Sequence, residues 1–181
     1  MATSKTSSFW LTDVVTLPAA NQSGDVLQAT IDLGAYVDVG DQQALSIESV
    51  DWIFQRGTAF SADYINMLNG NGAIECQLAD LNPGLNMLRA DDNTLVASGT
   101  LNIDQTNNIG SFSADIYPDI YGKLDQARTV VNDQLYVQAV NTAAAIGSHP
   151  VYVTVRIKCR IVKLNTKDWM AIAIQSTAAD N

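Results

Sequence analysis

Between Pro150 and Leu164 the chain alternates with a strictness that few folds accommodate. Val151, Val153, Val155, Ile157, Cys159 and Ile161 occupy every second position, so in an extended chain they share one face. A helix would scatter them around its circumference, and the pattern predicts a half-buried strand. The opposite face carries Tyr152, Thr154, Arg156, Lys158 and Arg160, with Lys163 and Lys167 just beyond. Five of the ten basic residues therefore fall between 156 and 167, in a chain of net charge -9. A long strand with a core side and a basic side points to a β-sandwich. The basic side has two readings: solvated cations that discourage edge pairing, or a docking surface for something acidic.

The acidic residues support the same fold class. Seventeen are Asp and only two, Glu48 and Glu75, are Glu. Asp suits turns and caps, whereas Glu suits helix interiors. With 47% hydrophobic and 16% charged residues in 181, the chain can fill one core and is not disordered. The expectation is an all-β, antiparallel sandwich of jelly-roll type with one or two short helices in its loops. Residues 1–24 are read as an N-terminal arm or edge segment, and 25–181 as a single sandwich domain.

Along the chain, Val26–Leu33 reads as a strand, and Ala44–Phe54 as a longer one. In the latter, Leu45 and Ile47 share one parity and Val50, Trp52 and Phe54 the other, which demands a bulge near Glu48–Ser49. Phe60, Tyr64, Met67 and Leu68 fit a short helix, as do Leu124, Ala127 and Val131. Ile74–Leu78, Leu95–Ala97, Leu101–Ile103 and Leu135–Ala139 read as strands, and 104–122 as loop. Trp169–Ile174 reads as a last strand or a helical turn.

Catalytic chemistry finds little to work with. His149 is the only histidine and reads as part of the turn into the long strand. There is no Gly-x-Ser-x-Gly, P-loop or Gly-x-Gly-x-x-Gly, and three Cys and His residues far apart do not suit zinc. No enzyme activity and no cofactor is expected. Calcium is the one metal whose ligand type is present in loops, at Asp38 and Asp41 and at Asp91, Asp92 and Asn93; the plainer reading makes these turn residues. Cys76 and Cys159 read as small buried hydrophobes, with a mutual disulfide as the other option. A pI near 4.2 argues against nucleic acid as the main partner. The N-terminus shows no apolar signal-peptide region, and no apolar run approaches a membrane span.

The segment from Asp25 to Phe54, DVLQATIDLGAYVDVGDQQALSIESVDWIF, resembles the opening strands of single jelly-roll capsid proteins of icosahedral viruses. That resemblance implies a structural protein that self-assembles into a shell and resides in the virion. Its partners would be copies of itself and other coat proteins, with an internal membrane or lipid headgroups as a further option. The expected interface comprises Phe9, Trp10 and Leu11 in the arm, the basic residues Arg156, Lys158, Arg160, Lys163 and Lys167, and Trp169 with Met170. The alternative is a carbohydrate-binding sandwich, calcium-dependent through Asp38 and Asp41, with Tyr36, Tyr117 or Tyr121 as its platform. A hydrolase using two carboxylates ranks behind both.

Overall fold

The computed structural model describes residues 2–58, 63–116 and 128–177. Among these residues ten strands follow one another: β1 (Thr3–Ser4), β2 (Phe9–Leu17), β3 (Leu27–Asp32), β4 (Gln43–Arg56), β5 (Gly72–Ala79), β6 (Leu95–Asp104), β7 (Ile109–Ile116), β8 (Arg128–Val130), β9 (Gln134–Thr142) and β10 (Val151–Lys163). A helix, α1 (Thr166–Thr177), ends the series.

All pairings are antiparallel. One sheet runs β2-β10-β4-β8, with β1 extending the β2 side along the end of β10; the other runs β3-β9-β5-β6-β7. Setting aside β1 and β7, four strands face four in an interleaved chain order. This is the jelly-roll arrangement. The core lies between the sheets, where Leu17, Ile47 and the odd-numbered residues Val151–Cys159 meet Ile74, Leu78, Leu101, Leu135 and Val137.

The long strand follows its sequence pattern as far as Cys159. Ile161 is only half-buried, and Val162 on the other face is buried instead. There the outer face of the first sheet has its own small core: Ala44, Val131, Val162 and Leu164 receive Trp169, Ile172 and Ala173 from α1. The bulge demanded by β4 is present. Lys158 pairs with Ser49 and Cys159 with Ile47, so Glu48 is passed over.

Several expectations need correction. Of the stretch read as loop, only 105–108 is a turn: β6 runs unbroken through Gly99 to Asp104, β7 pairs with it over Ile109–Ile116, and 117–122 lie outside the described residues. Gly99 is needed at that crossing, because a Cβ there would lie 3.0 Å from the Phe112 ring and 3.1 Å from Trp52. Trp169–Ile174 belongs to α1, not a strand. The reason is local. The Asn165 side chain accepts from the Asp168 amide (2.8 Å) and donates to its carboxylate (2.8 Å), a reciprocal N-cap. The helix expected around Phe60–Leu68 reduces to a 3-10 turn at Tyr64–Asn66, and Phe60 lies outside the described residues. Leu124 and Ala127 also lie outside them, and Val131 directly follows β8. Of the segment read as an arm or edge, Phe9–Leu17 is a full edge strand, paired with β10 over nine residues.

Both cysteines are free and buried, on β5 and β10 in opposite sheets. Burial pushes the Cys159 thiol up to about 12 and Cys76 well above its ordinary value.

Candidate assembly surface

Three strands define the uncovered part of the first sheet's outer face. On it Lys158 lies between Trp10 and Ser49, Arg156 between Thr12 and Asp51, and Thr154 between Val14 and Ile53. Trp10, Val14 and Ile53 are exposed at 44%, 43% and 37%. The Arg156 guanidinium sits 4.7 Å from the centre of the Trp10 ring, a cation–π contact. Bare aromatic and aliphatic surface beside a cation is the composition of an interface core.

Next to this surface the bulge turns Glu48 outward, yet it is 3% exposed. Ser8 Oγ donates to both carboxylate oxygens at 3.0 Å, and Lys158 Nζ lies 3.6 Å away. Arg160 forms the closest ion pair with the same carboxylate. A buried carboxylate without such partners would be costly, so the two cations and the hydroxyl hold it in place. Two of the five expected docking cations are thus committed to a carboxylate of their own chain. Sequence reading missed Glu48 as their partner. The signal was there: it is one of two Glu residues and it stands at the parity break.

The ten expected interface residues therefore separate. Trp10, Arg156, Lys158 and Arg160 come together on the outer face. Phe9 and Leu11 point the other way and pack against the main core, with the Phe9 ring 5.3 Å from Tyr36. Lys163 and Lys167 are exposed near α1. Trp169 packs into the small core, while Met170 is exposed at 55% on the same helix.

The loop carboxylates serve their turns. Asp38 Oδ1 accepts from the Gly40 amide at 2.8 Å, and Asp92 Oδ1 from both the amide and the hydroxyl of Thr94 at 2.8 and 2.7 Å. Among the described residues no group of three or more His, Cys, Asp or Glu could hold a metal ion. Tyr36 packs against the core, and Tyr117 and Tyr121 lie outside the described residues.

A second buried carboxylate serves the opposite sheet. Asp80 is 3% exposed and takes a 2.9 Å ion pair from Arg128. Burial raises its pKa, and Arg128 opposes that shift. From Asp80 the chain enters the segment 81–94, which lies over the outer face of the second sheet. Gln77 holds it in both directions, donating to the Leu88 carbonyl at 2.8 Å and accepting from its amide at 2.7 Å. Gln138 donates to the Gly84 carbonyl. Between this segment and β9 is a cavity of about 580 Å³ lined by Asn82, Pro83, Asn86, Leu88, Asp92, Thr94 and Tyr136.

No protein-family model matches the chain, and neither does any curated protein. Among solved structures it is similar to the VP1 of Trichodysplasia spinulosa-associated polyomavirus in complex with 3'-sialyllactose. The identity is 10%, the coverage is 90% of this chain and 97% of that one, and the TM-score is 0.44. It is also similar to the unassembled VP1 pentamer of Merkel cell polyomavirus, at 10% identity, 89% and 98% coverage and a TM-score of 0.40. At such low identity and TM-scores, the likeness adds nothing to what the strand order already shows.

Proposed function

We propose that this chain is a self-assembling coat subunit of a viral capsid, residing in the virion, with copies of itself as its main partners. The observation that carries the reading is the outer face of the first sheet: a jelly roll leaves Trp10, Val14 and Ile53 bare beside Arg156. A fold alone does not assign a function. This face is where a neighbouring subunit gains most, since aromatic and arginine side chains dominate interface energies. With a net charge of -9, another copy offers acidic loops to Arg156 and to the cations near α1. Such charge matching sets register and rate more than affinity. Other coat proteins or lipid headgroups would meet the same cations, whereas nucleic acid is disfavoured by the acidic balance. Among the described residues no helix is long and apolar enough to cross a membrane.

The test is light scattering across salt concentrations with negative-stain microscopy of the same fractions, comparing the parent chain with Trp10→Ala/Arg156→Ala. Regular particles or defined oligomers from the parent chain, lost in the double variant while its melting temperature falls by only a few degrees, are expected. A parent chain that stays monomeric at every salt concentration would overturn the shell reading. A double variant that assembles normally would remove this face from it.

A second reading rests on the cavity beside β9. Its mixture of Asn, Asp and Thr side chains with a Tyr ring suits the hydroxyls and apolar faces of a sugar. Calorimetry against a glycan panel, repeated with Tyr136→Ala, tests it; silence across the panel would sink it.

A further inference from the structure

The edge of the second sheet has a property that the bare outer face of the first does not. Strand β7 pairs with β6 on one side, and among the described residues no strand pairs with its other side. Seven of its eight residues are exposed and the last is half-buried, so its outer row of amides and carbonyls faces water. Edges of this kind are ordinarily blunted by Lys, Pro or a charge pointing along the edge. The β7 sequence, Ile-Gly-Ser-Phe-Ser-Ala-Asp-Ile, has no Lys, Arg or Pro. Its single charge, Asp115, is held by its own sheet, accepting from Thr100 Oγ1 and Ser113 Oγ at 2.8 Å each. Asp115 also stands at the register break that ends the regular ladder, which leaves Ile109–Ala114 as the unguarded stretch.

We propose that β7 pairs with β7 of a second copy, antiparallel and centred on Phe112, joining two second sheets into one. The partner follows from the symmetry of the strand. A two-fold axis through Phe112 sets Ser111 opposite Ser113 of the other copy and Gly110 opposite Ala114. Small or hydroxyl side chains then meet one another, and the two Asp115 carboxylates stand at opposite ends of the contact. A self-complementary patch of this kind makes a closed, isologous interface. Phe112 has the geometry for the central position. It sits opposite Leu101 on the inward-facing side with its ring 5.8 Å from Phe54, yet it is 48% exposed. A second Phe112 directly across would cover the open half, and aromatic cross-strand pairs are among the more favourable ones. The inference deepens the self-assembly reading by naming one of its contacts, and rests on that reading for its partner.

Disulfide trapping tests it. Residues directly opposite in an antiparallel pair have Cα atoms about 4.5–5.5 Å apart, within the range a disulfide spans. The two native thiols are buried and unreactive by comparison. Phe112→Cys under mild oxidation should give a covalent dimer on a non-reducing gel far faster than Leu85→Cys, an exposed control at 66%. Equal rates, or no dimer, would overturn the pairing. Should Phe112→Cys fail to fold, a mixture of Ser111→Cys and Ser113→Cys chains should cross-link where neither does alone; no preference for the mixture overturns it equally. Particles that form in microscopy without this cross-link would remove the β7 contact and leave the shell reading standing.

Discussion

The two outer faces of the sandwich are finished in different ways. Over the second sheet the chain lays its own segment 81–94 and fixes it through side-chain amides: Gln77 to Leu88 and Gln138 to Gly84. Over the first sheet α1 covers only the end near Ala44 and Val162, and the stretch holding Trp10, Val14 and Ile53 stays open. Each sheet has a buried carboxylate paired with arginine, Asp80 where segment 81–94 begins and Glu48 beside the open stretch. The contrast teaches where to look for partners. One face is closed by hydrogen bonds between glutamine side chains and the backbone of the covering segment, and the other keeps exposed apolar area of the kind that marks an interaction site.

The largest expected effect comes from breaking the Asp80 pair, and breaking the Glu48 pair should cost less. Arg128→Ala leaves Asp80, 3% exposed, without its cation, and stranding a buried charge costs about 3–5 kcal/mol. Glu48→Ala leaves Arg160 and Lys158, which are 22% and 43% exposed as side chains, and water can take over part of their solvation. About 1–2 kcal/mol is expected there. Urea denaturation of both variants at pH 7 checks the order; an Arg128→Ala variant no less stable than Glu48→Ala would contradict it. The pH dependence has a definite sign. The folded-state pKa of Asp80 lies above its ordinary value, so its stabilising contribution belongs to the protonated form and is lost as pH rises through that pKa. Without Arg128 the pKa rises further, and the penalty of Arg128→Ala should shrink steadily as pH falls toward and below 4.

Next in size is the fixing of segment 81–94. Gln77→Ala removes two hydrogen bonds to Leu88, worth about 1 kcal/mol each, so a loss of about 2 kcal/mol is expected. Local loosening should exceed global loss: exchange of the Leu88 amide should accelerate more than that of the β5 amides. Uniform acceleration would mean that the segment unfolds only with the sheet, and the contrast between the two faces would lose its basis. Trp10→Ala on the open face should cost less, about 0.5–1 kcal/mol from its contact with Arg156, since 44% of the residue is exposed.

How far these differences could be read from sequence depends on which faces are buried. The β10 strand declared itself because its inner face meets the core along Val151–Cys159, and alternation follows from one-sided burial. The bulge at Glu48 was readable because a parity change cannot otherwise keep Ile47 and Val50 both inside. Strand β7 has little burial on either side, so nothing in Ile109–Ile116 alternates, and its Gly and Ser residues imitate a loop. The α1 helix was obscured by short apolar residues, Ala171 to Ile174, that suit a strand equally well; the Asn165–Asp168 cap was the discriminating signal. The partnership of Arg160 and Lys158 with Glu48 spans more than a hundred residues, and only the sheet register brings them together. On the other face, pairing of Gln77 with Leu88 depends on a loop path that no local pattern encodes.

A further contrast, also expected to be small, separates the two sheets by their thiols. Cys76 lies in the middle of the second sheet, between β6 and β9. Cys159 pairs with Phe9 at the very start of β2, where residues 5–8 pass beside it without regular strand pairing. Opening of that edge would expose Cys159 while leaving the second sheet intact. A thiol reagent added to the native protein should therefore modify Cys159 first and Cys76 only with global unfolding, as peptide mapping of a time course would show; simultaneous labelling would mean that the edge does not open separately. Alkaline pH sharpens the test. The Cys159 thiol titrates at about 12 when folded, against an ordinary 9.0, so its stabilising contribution is complete below 9 and is lost as pH rises toward 12. Cys159→Ala should flatten part of that alkaline decline. At neutral pH the same substitution should cost only the packing of a small buried side chain, about 1 kcal/mol, and a larger loss would mean that the β2 edge depends on this contact more than its pairing suggests.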